Sequence, residues 1–135
     1  MNSTTPSKAT KWLVVDNDEG LLWLLAHIVE SLTGSEVVCC TSGREAIEVL
    51  RYSARDFAGV ITDLDMPGMQ GDQLLIRVRA LCPSLKVFLS SGNLDWNENR
   101  ALASGFEGFL PKPFTVVEVR EILDRVHQAM SFCAA

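Results

Sequence analysis

The feature that most constrains this chain is its strict alternation of short apolar runs with helix-period segments. Trp12-Leu13-Val14-Val15 is a continuous apolar run, as expected of a strand buried on both faces. Leu21 to Leu32 follows, with Leu22, Leu25, Val29 and Leu32 on one stripe and Gly34 as a stop. Glu36 to Cys40 is a second strand. Ser42-Gly43-Arg44-Glu45 has capping-box spacing and opens a helix with Ala46, Val49 and Leu50 inward. Gly59 to Thr62 is a third strand, ending at Asp63, and Met66 to Met69 is a loop. Gly71 to Leu81 reads as helix, with Leu74, Leu75, Val78 and Leu81 apolar. Val87 to Leu89 is a fourth strand, and Asp95 to Ser104 a short polar helix capped by Asp95. Gly108 to Leu110 is a fifth strand. Thr115 to Glu118 is a second capping box, opening a helix with Val119, Ile122, Leu123, Val126 and Met130 inward.

Such alternation implies a parallel α/β sheet with helices on both faces. Five strands favour the flavodoxin-like, doubly wound order 2-1-3-4-5. Strands one and three are then neighbours, with the switch point between them. A chain of 135 residues is one domain, and 47% hydrophobic residues give it a core that needs no staples. We read 1–10 as a polar tail, 11–131 as the domain and 132–135 as a second tail.

The N-terminus lacks the apolar stretch of a signal peptide, and no run reaches membrane-spanning length. A net charge of -5 argues against direct nucleic-acid binding. Cys39, Cys40, Cys82 and Cys133 form no C-x-x-C pair, and the only histidines are His27 and His127, so zinc is not expected. Cys39 reads as a small core residue, and the cysteine usage fits a reducing, cytoplasmic setting.

Four polar clusters end the apolar runs: Asp16-Asn17-Asp18-Glu19, Asp63-Leu64-Asp65-Met66-Pro67, Ser90-Ser91-Gly92 and Pro111-Lys112-Pro113-Phe114. Open α/β sheets build their sites at that edge, and Asp16 and Asp63 meet at the switch point. Taken singly, each cluster has an ordinary explanation, since an Asp after a strand commonly caps a turn. Together they supply acids for a metal, a nucleophile, a hydroxyl and a lysine. That inventory moves a phosphoryl group onto a carboxylate. Asp16, Asp18, Glu19, Asp63 and Asp65 in one cleft would repel one another unless a cation sat among them. Mg2+, with oxygen ligands, suits a site that also holds phosphate. Lys112 would meet a phosphoryl oxygen as a point charge, Ser90 or Ser91 would donate a hydroxyl, and Asp63 is the natural nucleophile.

With these motifs in view, the chain from about Lys11 to Met130 resembles the receiver domain of two-component response regulators (CheY-like). V-V-D at Val14 to Asp16, D-L-D-M-P-G-M-Q-G at Asp63 to Gly71, S-G at Ser91-Gly92 and K-P-F at Lys112 to Phe114 carry the likeness. The resemblance implies that Asp63 is a phosphoacceptor, charged from phosphohistidine on a histidine kinase or histidine phosphotransfer protein. It implies Mg2+ held by Asp16, Asn17, Asp63 and the backbone carbonyl of Asp65. Ser91 matches the hydroxyl that turns toward the phosphoryl group, Lys112 the phosphate-contacting lysine, and Phe109 the aromatic switch. Lys112-Pro113 is expected to be a cis bond. Such a domain catalyses only its own phosphorylation and dephosphorylation, and it can switch a partner or dimerise when phosphorylated.

The chain departs from the family pattern in three places. Asn17 stands where a second acid is usual and removes a charge from the metal site. Ser90-Ser91 leaves the hydroxyl register open: strand alignment favours Ser91, spacing to Lys112 favours Ser90. Phe109 has no hydroxyl, so a switch there works by packing. Two other patches stand out. Trp23, His27 and Glu30 share a stripe opposite the core face of the first helix, either a solvated face or a docking patch. Trp96 is either an output contact or a packing residue. Two rival readings accompany the main one. Asp63-Leu64-Asp65 also resembles the D-x-D of haloacid dehalogenase-type phosphatases, but no acidic pair ends a strand after Lys112. A receiver-like module that binds partners without phosphorylation is the other, with Asn17 as its mark.

Overall fold

A computed structural model describes residues 10–134, with side chains as far as Val126. The expected 1–10 tail, apart from Thr10, and the inward placement of Met130 lie outside the described residues. Five strands, β1 (Lys11–Val15), β2 (Val37–Cys40), β3 (Phe57–Asp63), β4 (Lys86–Ser91) and β5 (Gly108–Pro111), alternate with five α-helices. These are α1 (Glu19–Thr33), α2 (Gly43–Ser53), α3 (Gly71–Leu81), α4 (Glu98–Ser104) and α5 (Val116–Ala134). The sheet is parallel, in the order β2-β1-β3-β4-β5, as expected of the flavodoxin-like fold.

Alternation along each strand sorts the core into two layers. Leu13, Val15, Val60, Val87 and Leu89 face α2, α3 and α4 and pack with Leu50, Leu74, Leu75 and Val78. Trp12, Val14, Ile61, Phe88 and Leu110 face α1 and α5 and pack with Leu22, Leu25, Val29 and Ile122. Fully burying each such side chain contributes about 1.5–3 kcal/mol, so both layers hold the strand ends firmly.

Helix ends follow local chemistry. Asp18 Oδ1 accepts from the Leu21 N–H, so α1 starts ahead of the apolar stripe, at Glu19. Gly34 ends it in the left-handed region (φ 71°), where a Cβ would be strained. The Thr115–Glu118 capping box forms as expected. At α2 only half of the expected box forms: Ser42 Oγ accepts from Glu45 N–H, but the Glu45 carboxylate reaches back to Thr41.

Some expected boundaries are corrected. Asn97, not Asp95, caps α4, because its Oδ1 accepts from the Arg100 N–H. Asp95 lies in the preceding loop, its N–H bonded to Asn93 Oδ1. Leu81 closes α3, as expected, and is exposed. The last helix runs on to Ala134, through most of the stretch expected as a tail. Cys40 is buried and its thiol is pushed up to about 12, first by burial and then by Glu45 and Cys39. Cys39 is half-buried against the α1/α5 layer, close to its expected role.

Candidate functional site

Asp63 is the last residue of β3, a strand buried along nearly its whole length, and its side chain is enclosed. Its Oδ1 accepts from the Leu64 N–H at 2.9 Å and from Lys112 Nζ at 3.0 Å. Asp16 follows the neighbouring strand β1 and is buried. Its Oδ2 accepts from Lys112 Nζ at 2.8 Å, and its Oδ1 from the Asp18 N–H at 2.8 Å. Lys112 follows β5, its backbone N–H is bonded to the Ser91 carbonyl, and the Lys112-Pro113 peptide is cis, as expected. One ammonium therefore bridges two buried carboxylates brought in by two different strands.

The β3–α3 loop is folded tightly against this centre. Gly71 N–H donates to the Leu64 carbonyl at 2.8 Å, and a Cβ at Gly71 would overlap the Asp63 carbonyl oxygen. Gly68 turns the loop with φ at 82°, a conformation glycine adopts at little cost.

Electrostatics here are set by burial against charge. Burial raises the Asp63 carboxyl above the usual carboxylate range. Lys112 offsets this only in part, and the Asp16 charge adds to the rise. Burial acts to lower Lys112, but its hydrogen bonds and charge contacts with Asp16 and Asp63 outweigh that and hold it above the ordinary lysine value. The lysine is therefore charged at neutral pH.

The five-acid crowd expected from the sequence does not form. Among the described residues no three His, Cys, Asp or Glu side chains gather as a metal cage. Asp18 is spent on the α1 cap, and Glu19 and Asp65 are exposed. Asn17, at the exposed mouth, turns its amide toward Asp63 Oδ2 and the Asp65 carbonyl oxygen. Both are acceptors, so the amide nitrogen belongs on that side, 3.2 Å from each. The donor chemistry still fits a hard divalent ion. Asp16, Asp63 and the Asp65 carbonyl offer oxygens, the Asn17 amide has one at its other end, and Mg2+ is commonly held by one or two carboxylates with water and phosphate completing its shell.

The two serines part company at the end of β4. Asp63 pairs with Ser90 and Ser91 with Pro111 in the sheet register. Strand alternation puts Ser91 on the side of Leu89 and the α4 layer, against which Phe109 packs. Ser90 falls on the opposite side, with Phe88. Both are buried, but Ser91 Oγ accepts from the Asn93 N–H at 2.9 Å, whereas Ser90 Oγ has no partner among the described residues.

Of the outlying residues, Trp23, His27 and Glu30 are all exposed on α1. Trp96 is a packing residue: it is half-buried, lies edge-on to Phe106, and carries Arg100 over its ring at 4.1 Å. Sequence reasoning missed the inward turn of the Asn17 amide and the demand for glycine at Gly71. The second was signalled only by the tight run between Asp63 and the helix.

The family model for the response regulator receiver domain matches residues 12–124. The response regulator protein FleR of Pseudomonas aeruginosa is 38% identical over 120 residues, covering 87% of this chain and 24% of FleR. Chemotaxis protein CheY-3 of Vibrio cholerae is 28% identical over 127 residues, covering 92% of this chain and 96% of CheY-3. A response regulator receiver domain protein from Clostridium thermocellum shares the fold, with a TM-score of 0.83 at 24% identity over 92% of this chain and 98% of that one. The chain belongs to the receiver-domain family of two-component response regulators. It spans about a quarter of the length of the curated relatives first matched. Among the described residues no helix is long and apolar enough to cross a membrane. The family places the chain apart from the haloacid dehalogenase-type phosphatases.

Proposed function

We propose that this receiver domain accepts a phosphoryl group on Asp63 from phosphohistidine of a histidine kinase or phosphotransfer protein. The supporting observation is the buried Asp63 carboxylate, held at the end of β3 by a lysine that it shares with Asp16. Asp63 attacks phosphorus through a carboxylate oxygen, the P–N bond to the donor imidazole breaks, and its electron pair stays on the departing histidine. Lys112 neutralises charge on the group in transfer. Asp16, Asn17, Asp63 and the Asp65 carbonyl would hold Mg2+, which supplies charge neutralisation at the phosphoryl oxygens when bound. The chain turns over no separate substrate on this reading.

The acyl phosphate adds nearly two negative charges to a buried site. The Ser91 hydroxyl leaves the Asn93 N–H and turns to the phosphoryl oxygens, and Phe109 moves into the space on the same face of the sheet. The surface of α4, β5 and α5 then binds a downstream partner or a second copy. Ser91→Ala is expected to uncouple phosphorylation from that binding, and Ser90→Ala to leave it intact. Exposed Trp23 on α1 favours a docking role toward the protein donor. Trp23→Ala should slow transfer from that donor and spare transfer from acetyl phosphate.

Intact mass after incubation with Mg2+ and acetyl phosphate tests the reading. The parent gains one phosphoryl group and Asp63→Ala gains none. A parent that gains nothing, even as Asn17→Asp, would instead be a module that binds without phosphorylation.

A further inference from the structure

Both oxygens of Asp63 face donors that the protein itself supplies. Oδ1 holds Lys112 Nζ and the Leu64 N–H. Oδ2 and the Asp65 carbonyl oxygen both lie 3.2 Å from the same end of the Asn17 amide, and because both are acceptors that end is assigned as its nitrogen, with one proton for each. These last two oxygens are the ones that a divalent ion beside Asp63 would need. An amide nitrogen with two protons directed at two oxygens mimics what a cation does there, at no charge. The bridged pair of Asp16 and Asp63 with one Lys112 carries a net charge of about -1 when all three are ionised. An acid at position 17 would make that about -2 and would offer Asp63 Oδ2 repulsion instead of a proton.

We propose that Asn17 is a two-position gate for the metal. Without a divalent ion its amide nitrogen closes the site by bonding Asp63 Oδ2 and the Asp65 carbonyl. With the ion present the amide turns over and presents its oxygen instead. An amide has one donor end and one acceptor end of nearly equal size, so the turn needs no extra room. Asn17 is exposed at the mouth of the cleft, so the turn displaces no core side chain. An aspartate could only wait as an acceptor. The gate makes metal binding compete with two hydrogen bonds, so the resting site is quiet and the ion enters weakly. This rests on the proposed Mg2+-dependent phosphoacceptor role and adds to it which residue resists the metal, and how.

The test is a magnesium titration of the full-length 15N-labelled protein at constant ionic strength. The Asn17 side-chain amide signals are identified by their loss in Asn17→Asp. In metal-free protein they should stand apart from those of free amides, and they should move to free-amide positions as Mg2+ saturates. Asn17→Asp should bind Mg2+ at least roughly tenfold more tightly by calorimetry, through the added charge and the lost competition. Saturation seen at the backbone signals of Leu64 and Asp65, with the Asn17 amide unmoved, would overturn the gate. Free-amide positions from the start would do the same. If acetyl phosphate still labels Asp63 in either case, the gate fails alone. If neither the parent nor Asn17→Asp binds Mg2+ or takes the label, the phosphoacceptor reading fails with it.

Discussion

Lysine–carboxylate pairs sit at both ends of this sheet, and they differ in kind. At the N-terminal ends of the strands Lys11 reaches Glu36 at 3.9 Å and Lys86 reaches Glu107 at 3.7 Å, with side-chain exposures of 33%, 66%, 38% and 41% in that order. At the C-terminal ends Lys112 reaches Asp16 at 2.8 Å and Asp63 at 3.0 Å, with side-chain exposures of 16%, 6% and 8%. The same two functional groups are a solvated rim in one place and a reactive centre in the other. Water screens the first pair type to little net value. Burial makes the second costly and strong, and its partners cannot be exchanged freely. All the buried polar side chains among the described residues, Asp16, Thr62, Asp63, Ser90 and Ser91, lie at the second end. The fold concentrates its electrostatic cost where the chemistry is.

Breaking the buried end should cost most. Lys112→Met leaves two buried carboxylates unpaired and should lower stability by about 3 kcal/mol in urea unfolding at neutral pH. Because Lys112 is raised above its usual value, its contribution is complete below the ordinary lysine pKa. It is lost only as pH rises through the higher, folded one. The gap between parent and Lys112→Met should therefore close at strongly alkaline pH.

Gly71→Ala should cost about 2 kcal/mol, because the new methyl meets backbone at Asp63 that cannot rotate away. Asp63→Asn should move the other way, gaining about 1 kcal/mol. The Asp63 carboxyl is raised by burial, so its charge opposes folding at neutral pH. The gain should shrink as pH falls below the raised folded pKa, where the parent carboxyl takes up its proton, and be gone below the ordinary carboxylate pKa. At the open end, Lys11→Met and Lys86→Met should each change the unfolding midpoint by less than about 0.5 kcal/mol. A large loss there would erase the contrast between the two ends.

The two ends also differ in how far they can be read from sequence. The sheet order, the two core layers and the convergence of Asp16, Asp63 and Lys112 were legible, because alternation and strand-end position depend on local pattern and a handedness rule. Trp12 to Val15 and Gly59 to Thr62 could hardly be anything but central strands. The start of α4 was not legible, because Asp95 and Asn97 are both good caps and only the turn through Asn93 decides between them. The crowd of acids was misjudged for a related reason. Composition counts Asp18 as a charge in the cleft, whereas the first turn of α1 claims it as a cap. Asn17 could be read as a missing acid but not as a donor, since the direction of an amide is set by the oxygens opposite it.

The central claim is that one carboxylate among several at this edge, Asp63, carries the phosphoryl group. After treatment with acetyl phosphate and Mg2+, borohydride reduction converts an aspartyl phosphate to homoserine at the modified position, and peptide mass mapping locates it. The account predicts homoserine at position 63 and unmodified aspartate at 16, 18 and 65. Reduction at any of those three, with Asp63 intact, would contradict it.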